Sequence, residues 1–344
     1  MSKILPQKIL VIQLRRIGDC LLTTPLVRAL RDNFPDSGID FLVEPASRRV
    51  FQGNPFINRI LTYDPQNPLS WIRRVRQERY DWVIDGLSNP RSALLTMTSG
   101  ASLRAGFSVP FWKIAYNVAV ERPFLPEYAA RTKLRLLESA AAKQGLRLAP
   151  HNLSLDFFTS PEEKEFAKDW FRSQGFKDGL PVVALSPTHR RAVRRWTPKG
   201  FAALSKLIQK SLQLPVVALW GPSEEDQLQE VLSLAGNAMV PFPKTTLGQM
   251  AAIIERCSLM IANDNGPKHI AVAVGTPTLT LYGPTHPSNW NPPETEPHRF
   301  IQVQGLGCLG CNLNHCPYRH ECMEWLDPET VFQTVQAIMT KMRP

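Results

Sequence analysis

The sequence contains no apolar run of the roughly 18 residues that a membrane-spanning helix needs, so no path across a bilayer is expected. The N-terminal "MSKILPQKILVIQL" has a lysine before an apolar stretch but lacks a small-residue cleavage site, so it reads as a strand and the expected location is cytoplasmic. A dinucleotide fingerprint is missing: one glycine, Gly18, stands where G-x-G-x-x-G needs three. No Asp-x-Asp metal element and no internal repeat is present. Acidic residues are in deficit, 30 against 40 basic ones, and the net charge of +10 favours an anionic partner: nucleic acid, an acidic membrane surface or a phosphorylated substrate. Only six cysteines occur, without a secretion signal, which argues against a disulfide framework and for thiols or a metal site.

What is present is the alternation of a soluble α/β protein. At 344 residues the chain suits two domains. Short apolar segments alternate with amphipathic ones, as parallel sheets with crossover helices require. "KILVIQL", "IDFLVE", "RILTY" and "DWVIDGL" read as strands of a first half, and "VVALS", "PVVALW", "LMIAN" and "TPTLTLYG" as strands of a second. The fold class expected is two Rossmann-like, doubly wound domains, 1–160 and 161–344, with a boundary near the Pro- and Gly-flanked charged helix of "TSPEEKEFAKDWFRSQGFKDGLP". A final helix is capped by Asp327 with Pro328 in its first turn. Ligands of such sheets bind beyond the carboxyl ends of strands.

Four segments there could carry chemistry. In "VIQLRRIGDCLLTTP" a strand stops at Arg15-Arg16 and Gly18-Asp19 follows. Asp19 is either a carboxylate satisfying helix-start donors or a general base, with Arg15 and Arg16 near an acidic substrate. In "IANDNGPKHIAVAVGTPTLTLYGPT" a strand ends at Asn263-Asp264, Asn265-Gly266 turns, and Pro267 opens a helix whose N–H groups suit a diphosphate. A structural turn explains the pattern as well. Asp264 would repel phosphate and is expected to hold the loop or a sugar hydroxyl, while Lys268 or His269 would supply cationic help. In "SPTHRRAVRRWTPKGF" the cations His189, Arg190, Arg191, Arg194 and Arg195 lie between strand and helix, and one or two are expected to clamp phosphate. In "CLGCNLNHCPYRHEC" Cys308, Cys311, Cys316 and Cys322 are compatible with a structural zinc or with free thiols, with His315 or His320 able to replace one thiolate. Cys20 and Cys257 read as small buried hydrophobes.

In their order, "RRIGD", the basic loop before "RWTP", "NDNGPKHIAVAVGTPTLTLYGPT" and the cysteine-bearing tail resemble glycosyltransferase family 9 over nearly the whole chain. "VIQLRRIGD" and "NPRSALLTMTSGA" look most like its heptosyltransferase III branch. The resemblance implies the GT-B architecture, two Rossmann-like domains facing across a cleft, the first binding acceptor and the second nucleotide sugar. It implies inverting transfer of heptose from ADP-L-glycero-D-manno-heptose to the lipopolysaccharide inner core, with no cofactor required for catalysis. Asp19 would then be the base, Gly18, Arg15 and Arg16 would lie on the acceptor side, and Asp264, Asn265, Gly266, Lys268 and His269 would form the donor motif. Two departures stand out: Arg195 occupies the place of a common lysine, with Arg194 as its alternative and Thr197 inserted, and Asn265 replaces Thr or Ser.

On the same reading Lys244, Thr245 and Leu247 would contact adenine, and Glu224 or Glu225 the ribose hydroxyls. Trp71, Arg73, Arg74 and Arg76, with Arg104, Arg122 and Arg131, form a basic patch suited to a phosphorylated lipid-linked acceptor at the inner-membrane surface. Rival readings are another GT-B transferase with a different nucleotide sugar and a basic nucleic-acid-binding protein. The second is disfavoured because no recognition helix accompanies the cysteines.

Overall fold

The computed structural model describes residues 5–177, 179–293 and 296–341. The chain divides into two compact units between Phe158 and Thr159. In the first, β1 (Lys8–Ile12), β2 (Gly38–Val43), β3 (Arg59–Thr62), β4 (Trp82–Asp85), β5 (Leu103–Phe107) and β6 (Val118–Val120) form a parallel sheet in the order β3-β2-β1-β4-β5-β6. In the second, β7 (Val183–Ser186), β8 (Val216–Ala218), β9 (Val240–Pro241), β10 (Leu259–Asn263), β11 (Thr278–Tyr282) and β12 (His298–Gln302) take the order β12-β11-β10-β7-β8-β9. Read from β9, the second order repeats that of the first. Each sheet reverses its winding once, between β1 and β4 and between β7 and β10, and ligands of doubly wound sheets sit at that point.

The central strands are buried on both faces because helices cover both. Leu10 and Ile12 of β1 face one helix layer, where Trp71 and Val75 of α3 (Pro68–Gln77) and Leu95 of α4 (Pro90–Thr98) pack with Leu42, Leu61 and Val83. The other layer brings α2 (Thr24–Asn33) against α5 (Ala129–Lys143). Pro25 starts α2, where its missing N–H costs nothing. In the second unit α6 (Pro161–Ser173), α7 (Pro198–Leu207), α8 (Glu225–Ala235), α9 (Leu247–Glu255), α10 (Gly266–Ala273) and α13 (Pro328–Lys341) surround the sheet; the short α11 (Pro287–Trp290) and α12 (Glu321–Glu324) follow β11 and β12. Side-chain caps are plain: Ser160 and Thr246 form capping boxes with Glu163 and Gln249, and the Asp327 carboxylate accepts from the Thr330 N–H.

The eight strands expected from apolar runs are present, but β5, β6, β9 and β12 carry too little apolar pattern to be read. β5 contains Arg104 and Gly106, and β6 and β9 are three and two residues long. Gly106 has a tertiary reason: a Cβ there would lie 2.3 Å from the Tyr116 ring. Among the described residues no helix is long and apolar enough to cross a membrane.

Candidate active site

In the first unit the chain leaves β1 and turns through Arg16, whose φ of 67° is costly for a side chain bearing a Cβ. It then enters the one-turn helix α1 (Ile17–Leu21), which carries Gly18 and Asp19. Cys20 and Leu21 anchor that turn in the core, and burial pushes the Cys20 thiol up to about 12, so it stays neutral. Thr23 Oγ1 donates to the Asp19 carbonyl at 2.7 Å and Thr24 Oγ1 to the Leu21 carbonyl at 2.8 Å. Asp19 itself is half-buried, and Arg15 and Arg16 are exposed.

Below the turn lies Lys133, which belongs to none of the motifs named above. Its ammonium is buried and donates to Gln13 Oε1 at 2.6 Å and to the Gly86 carbonyl at 3.0 Å, joining the carboxyl ends of β1 and β4. Gln13 Nε2 in turn donates to the Arg15 carbonyl at 3.1 Å, which steadies the approach to α1. Burial lowers the Lys133 pKa, and the Asp19 carboxylate is the strongest influence holding it up. Beside it Asp85 is wholly buried, raised by desolvation, and accepts from the N–H groups of Leu87 and Ser88 and from the Tyr116 hydroxyl at 2.8 Å. Asp19 is the acidic residue of the first turn of α1, whose N-cap residue Arg16 makes no side-chain cap.

In the second unit the two central strands deliver their loops to one place. Asn263 Oδ1 accepts from the Trp196 N–H at 2.9 Å and its Nδ2 donates to the Pro187 carbonyl at 2.9 Å, fastening the basic loop to the end of β10. Asp264, buried, accepts from Thr285 Oγ1 at 2.8 Å and from Arg194 at 3.3 Å, and lies 3.7 Å from Lys268 Nζ. It is therefore a loop-holding acid, the first of the two roles expected for it. Arg194 is correspondingly engaged, also donating to Asn312 Oδ1 at 3.1 Å, while Arg195 is half-buried.

Three expectations change here. Lys268 does not present its ammonium to a ligand: it is fully buried, donates to the Trp290 carbonyl at 2.6 Å and to Tyr282 Oη at 3.2 Å, and burial brings its pKa down to about 8. His269 is no cation either, because burial and the neighbouring Lys268 hold it well below its usual value. Asn265, expected in the donor motif, turns its amide inward, donating to Ser186 Oγ at 2.8 Å and the Thr188 carbonyl at 3.2 Å, while its side-chain oxygen caps the Lys268 N–H at 3.1 Å. What the turn does offer is the start of α10 at Gly266, where a Cβ would meet nothing within 4 Å. His189, named only as one of the loop cations, joins the two loops: its Nε2 lies 3.1 Å from the Asp264 carbonyl and its Nδ1 accepts from the Arg191 N–H at 2.8 Å.

The remaining donor-side residues follow the neighbouring strands. Glu224, after β8, accepts from Thr188 Oγ1 at 2.5 Å and the Gly221 N–H at 3.0 Å, so it braces the basic loop, while Glu225 opens α8 in solvent. Lys244 is exposed and Thr245 half-buried after β9, and Leu247 begins α9. The ends of β10, β7, β8 and β9 thus supply every donor-side candidate.

The zinc expectation is not supported. Cys308, Cys311, Cys316 and Cys322 line one cavity of about 30 Å³ with His315 and His320, and none of the four is in a disulfide. Among the described residues no group of three or more His, Cys, Asp or Glu side chains is gathered to hold a metal ion. Cys322 is drawn into the core with Met323 on α12, against Gly283, while Cys311 is exposed.

The family model for glycosyltransferase family 9 (heptosyltransferase) matches residues 69–320. The chain is 28% identical to the lipopolysaccharide heptosyltransferase 3 of Escherichia coli (strain K12) over 310 residues, 81% of this chain and 83% of the relative. Among solved structures, the glycosyl transferase family 9 protein of Veillonella parvula superposes with a TM-score of 0.83 at 22% identity, covering 97% of each chain. The Escherichia coli ADP-heptose lps heptosyltransferase II superposes with a TM-score of 0.79 at 21% identity, covering 98% of this chain and all of that one. At these identities the structural likenesses establish the shared fold; the family model covers well over half of the sequence, and the chain belongs to glycosyltransferase family 9, the heptosyltransferases.

Proposed function

We propose that the protein transfers heptose from ADP-L-glycero-D-manno-heptose to a sugar hydroxyl of the lipopolysaccharide inner core, with inversion at the anomeric carbon. The observation that carries the reading is the contrast at the two winding reversals: a half-buried carboxylate, Asp19, on a pinned turn in one unit, and a cation-and-helix-start pocket in the other. The acceptor oxygen forms a bond to the anomeric carbon, its proton passes to Asp19, and the bond to the diphosphate breaks so that ADP leaves. No protein nucleophile is needed. Negative charge develops on the leaving diphosphate, where Arg195 and the backbone N–H groups opening α10 stabilise it. Lys244, Thr245 and Leu247 hold the adenine side, and Arg15, Arg16 and Gly18 the acceptor side. The acceptor is a phosphorylated, lipid-linked core oligosaccharide at the cytoplasmic face of the inner membrane. The name of the superposed Escherichia coli enzyme supports ADP-heptose as donor, and that of the curated relative supports lipopolysaccharide as acceptor.

Thermal-shift measurements with ADP, UDP and GDP, followed by product mass with ADP-heptose and a heptose-bearing core acceptor, test the assignment. Stabilisation by ADP and a heptose mass increment are expected. Stabilisation by UDP alone would move the enzyme to another donor within the same fold.

A further inference from the structure

The two helix layers of the first unit treat their charges differently. In the layer of α2 and α5 three of the four arginines pair with carboxylates, Arg28 with Asp156, Arg131 with Glu138 and Arg135 with Glu127, and the fourth, Arg31, donates to the Pro35 and Ser37 carbonyls and to Asn58. In the other layer α3 packs on α4, and α4 packs on the short 3₁₀ turn Lys113–Ala115, so the three make one continuous face. Arg73, Arg74 and Arg76 of α3 and Lys113 of the turn are exposed there, and among the described residues none of them pairs with a carboxylate. The other basic residues of the expected patch are not part of this face's free charge. Arg104 is on β5, Arg122 follows β6 and Arg131 is paired with Glu138 on α5; on the face itself Arg74 lies over the Trp71 ring at 4.7 Å and Arg76 also donates to the Thr98 carbonyl at 3.4 Å, and both stay exposed with no carboxylate partner.

The same face exposes large apolar side chains. Leu69 at the start of α3 is 71% exposed and Met97 on α4 is 42% exposed. Phe111 and Ile114, flanking Trp112 in the β5–β6 connection, are 91% and 75% exposed. Phe111 has a φ of 65°, a backbone that disfavours a residue with a bulky side chain, and its ring gains no cover from the fold in return. Trp112, by contrast, tucks against the Ala93, Ala115 and Tyr116 cluster and so fixes the loop that carries its two exposed neighbours.

Unpaired cations interleaved with exposed aliphatic and aromatic groups on one rigid face complement a surface that is anionic outside and apolar beneath. We propose that the α3–α4 face of the first unit, with the Phe111–Ile114 loop, docks on a bilayer containing anionic phospholipid: Arg73, Arg74, Arg76 and Lys113 meet lipid phosphates, and Phe111, Ile114, Leu69 and Met97 enter the interfacial region. The geometry is independent of the donor assignment; its purpose rests on the reading that the acceptor is lipid-linked.

The test is co-sedimentation of the full chain with vesicles of phosphatidylethanolamine and phosphatidylglycerol, against vesicles of phosphatidylcholine alone. Wild type is expected to bind the anionic vesicles, less tightly as salt is raised, and the neutral ones at least about tenfold more weakly. Arg73→Ser with Arg76→Ser, and separately Phe111→Ser with Ile114→Ser, are each expected to weaken anionic binding about tenfold. Unchanged melting temperatures exclude unfolding as the cause. The Phe111/Ile114 variant is expected to keep full turnover of a deacylated, water-soluble acceptor, so loss of docking is separated from loss of transfer. Unaltered binding in both variants, or no binding by wild type, overturns the proposal. So does a sedimenting dimer that the same substitutions dissociate, which would make the face a contact between two copies. Absence of heptose transfer by wild type to the soluble acceptor would instead overturn the proposed function and leave the docking result standing.

Discussion

Asp19 follows β1 and Asp264 follows β10, each strand lying at the winding reversal of its own sheet, yet the two carboxylates have opposite surroundings. Asp264 is buried and surrounded by Arg194, Lys268 and Thr285, so its charge is spent holding loops. Asp19 stands half-buried on a one-turn helix whose neighbours Cys20 and Leu21 are inside the core. A carboxylate whose lone pairs are all committed to internal partners is a poor proton acceptor; one held rigidly but left accessible is a good one. Residue identity and proximity to a winding reversal therefore do not distinguish a loop-holding carboxylate from an accessible one. Partners and exposure do.

The sharpest way to break this comparison is to exchange charge for amide at each position. Asp19→Asn is expected to lower transfer by about 10³-fold, within the span of general-base contributions, while ADP affinity and melting temperature stay at wild-type values. Calorimetric titration with ADP beside initial rates checks both; a variant as active as wild type would remove Asp19 as base. Asp264→Asn is expected to do the reverse in kind, destabilising the fold by about 3–5 kcal/mol because Arg194 and Lys268 lose their buried counter-ion. Denaturant unfolding measures it. A stability within about 0.5 kcal/mol of wild type would mean Asp264 is no brace.

A pH profile extends the contrast to the second unit. His298, buried and near Lys268, is pushed down to about 4, and His269 well below its ordinary value. The unfolded chain therefore binds protons that the folded one refuses, so stability is expected to fall as pH drops from about 6.5 toward 4. His298→Gln should flatten part of that loss, read as the pH dependence of the wild-type minus variant unfolding free energy. The smallest expected effect belongs to Gly266→Ala. Because the added Cβ meets open space, stability should change by no more than about 1 kcal/mol, the scale of a Gly-to-Ala helix exchange. ADP binding should still weaken several-fold if diphosphate approaches that backbone. Unchanged ADP affinity would move the diphosphate away from the start of α10.

Much of this organisation was legible beforehand, and the exceptions have reasons. Buried central strands read clearly because burial on both faces demands continuous apolar runs, as in Leu259–Asn263. Four strands did not, because Arg104 and Gly106 interrupt Leu103–Phe107, Val118–Val120 and Val240–Pro241 are too short, and His298–Gln302 is too polar to show a period. The Asp19 turn and the Asn265-Gly266 turn were visible as breaks between a strand and a capped helix. Lys133 was not: a lysine in an amphipathic helix carries the same letter whether it reaches water or crosses beneath a sheet end.

By itself, the sequence determined the two doubly wound halves, because apolar periodicity and turn chemistry are local, and its ordered motifs carried the resemblance to the family to which the chain belongs. Tertiary structure alone decided which charges are free. It buried Lys268 and His269, turned the Asn265 amide inward, bound Arg194 to Asp264 and left Arg73, Arg74 and Arg76 exposed. Whether a charge acts on a ligand or on its own fold depends on desolvation and on partners distant in sequence, and no spacing of residues along a chain encodes either.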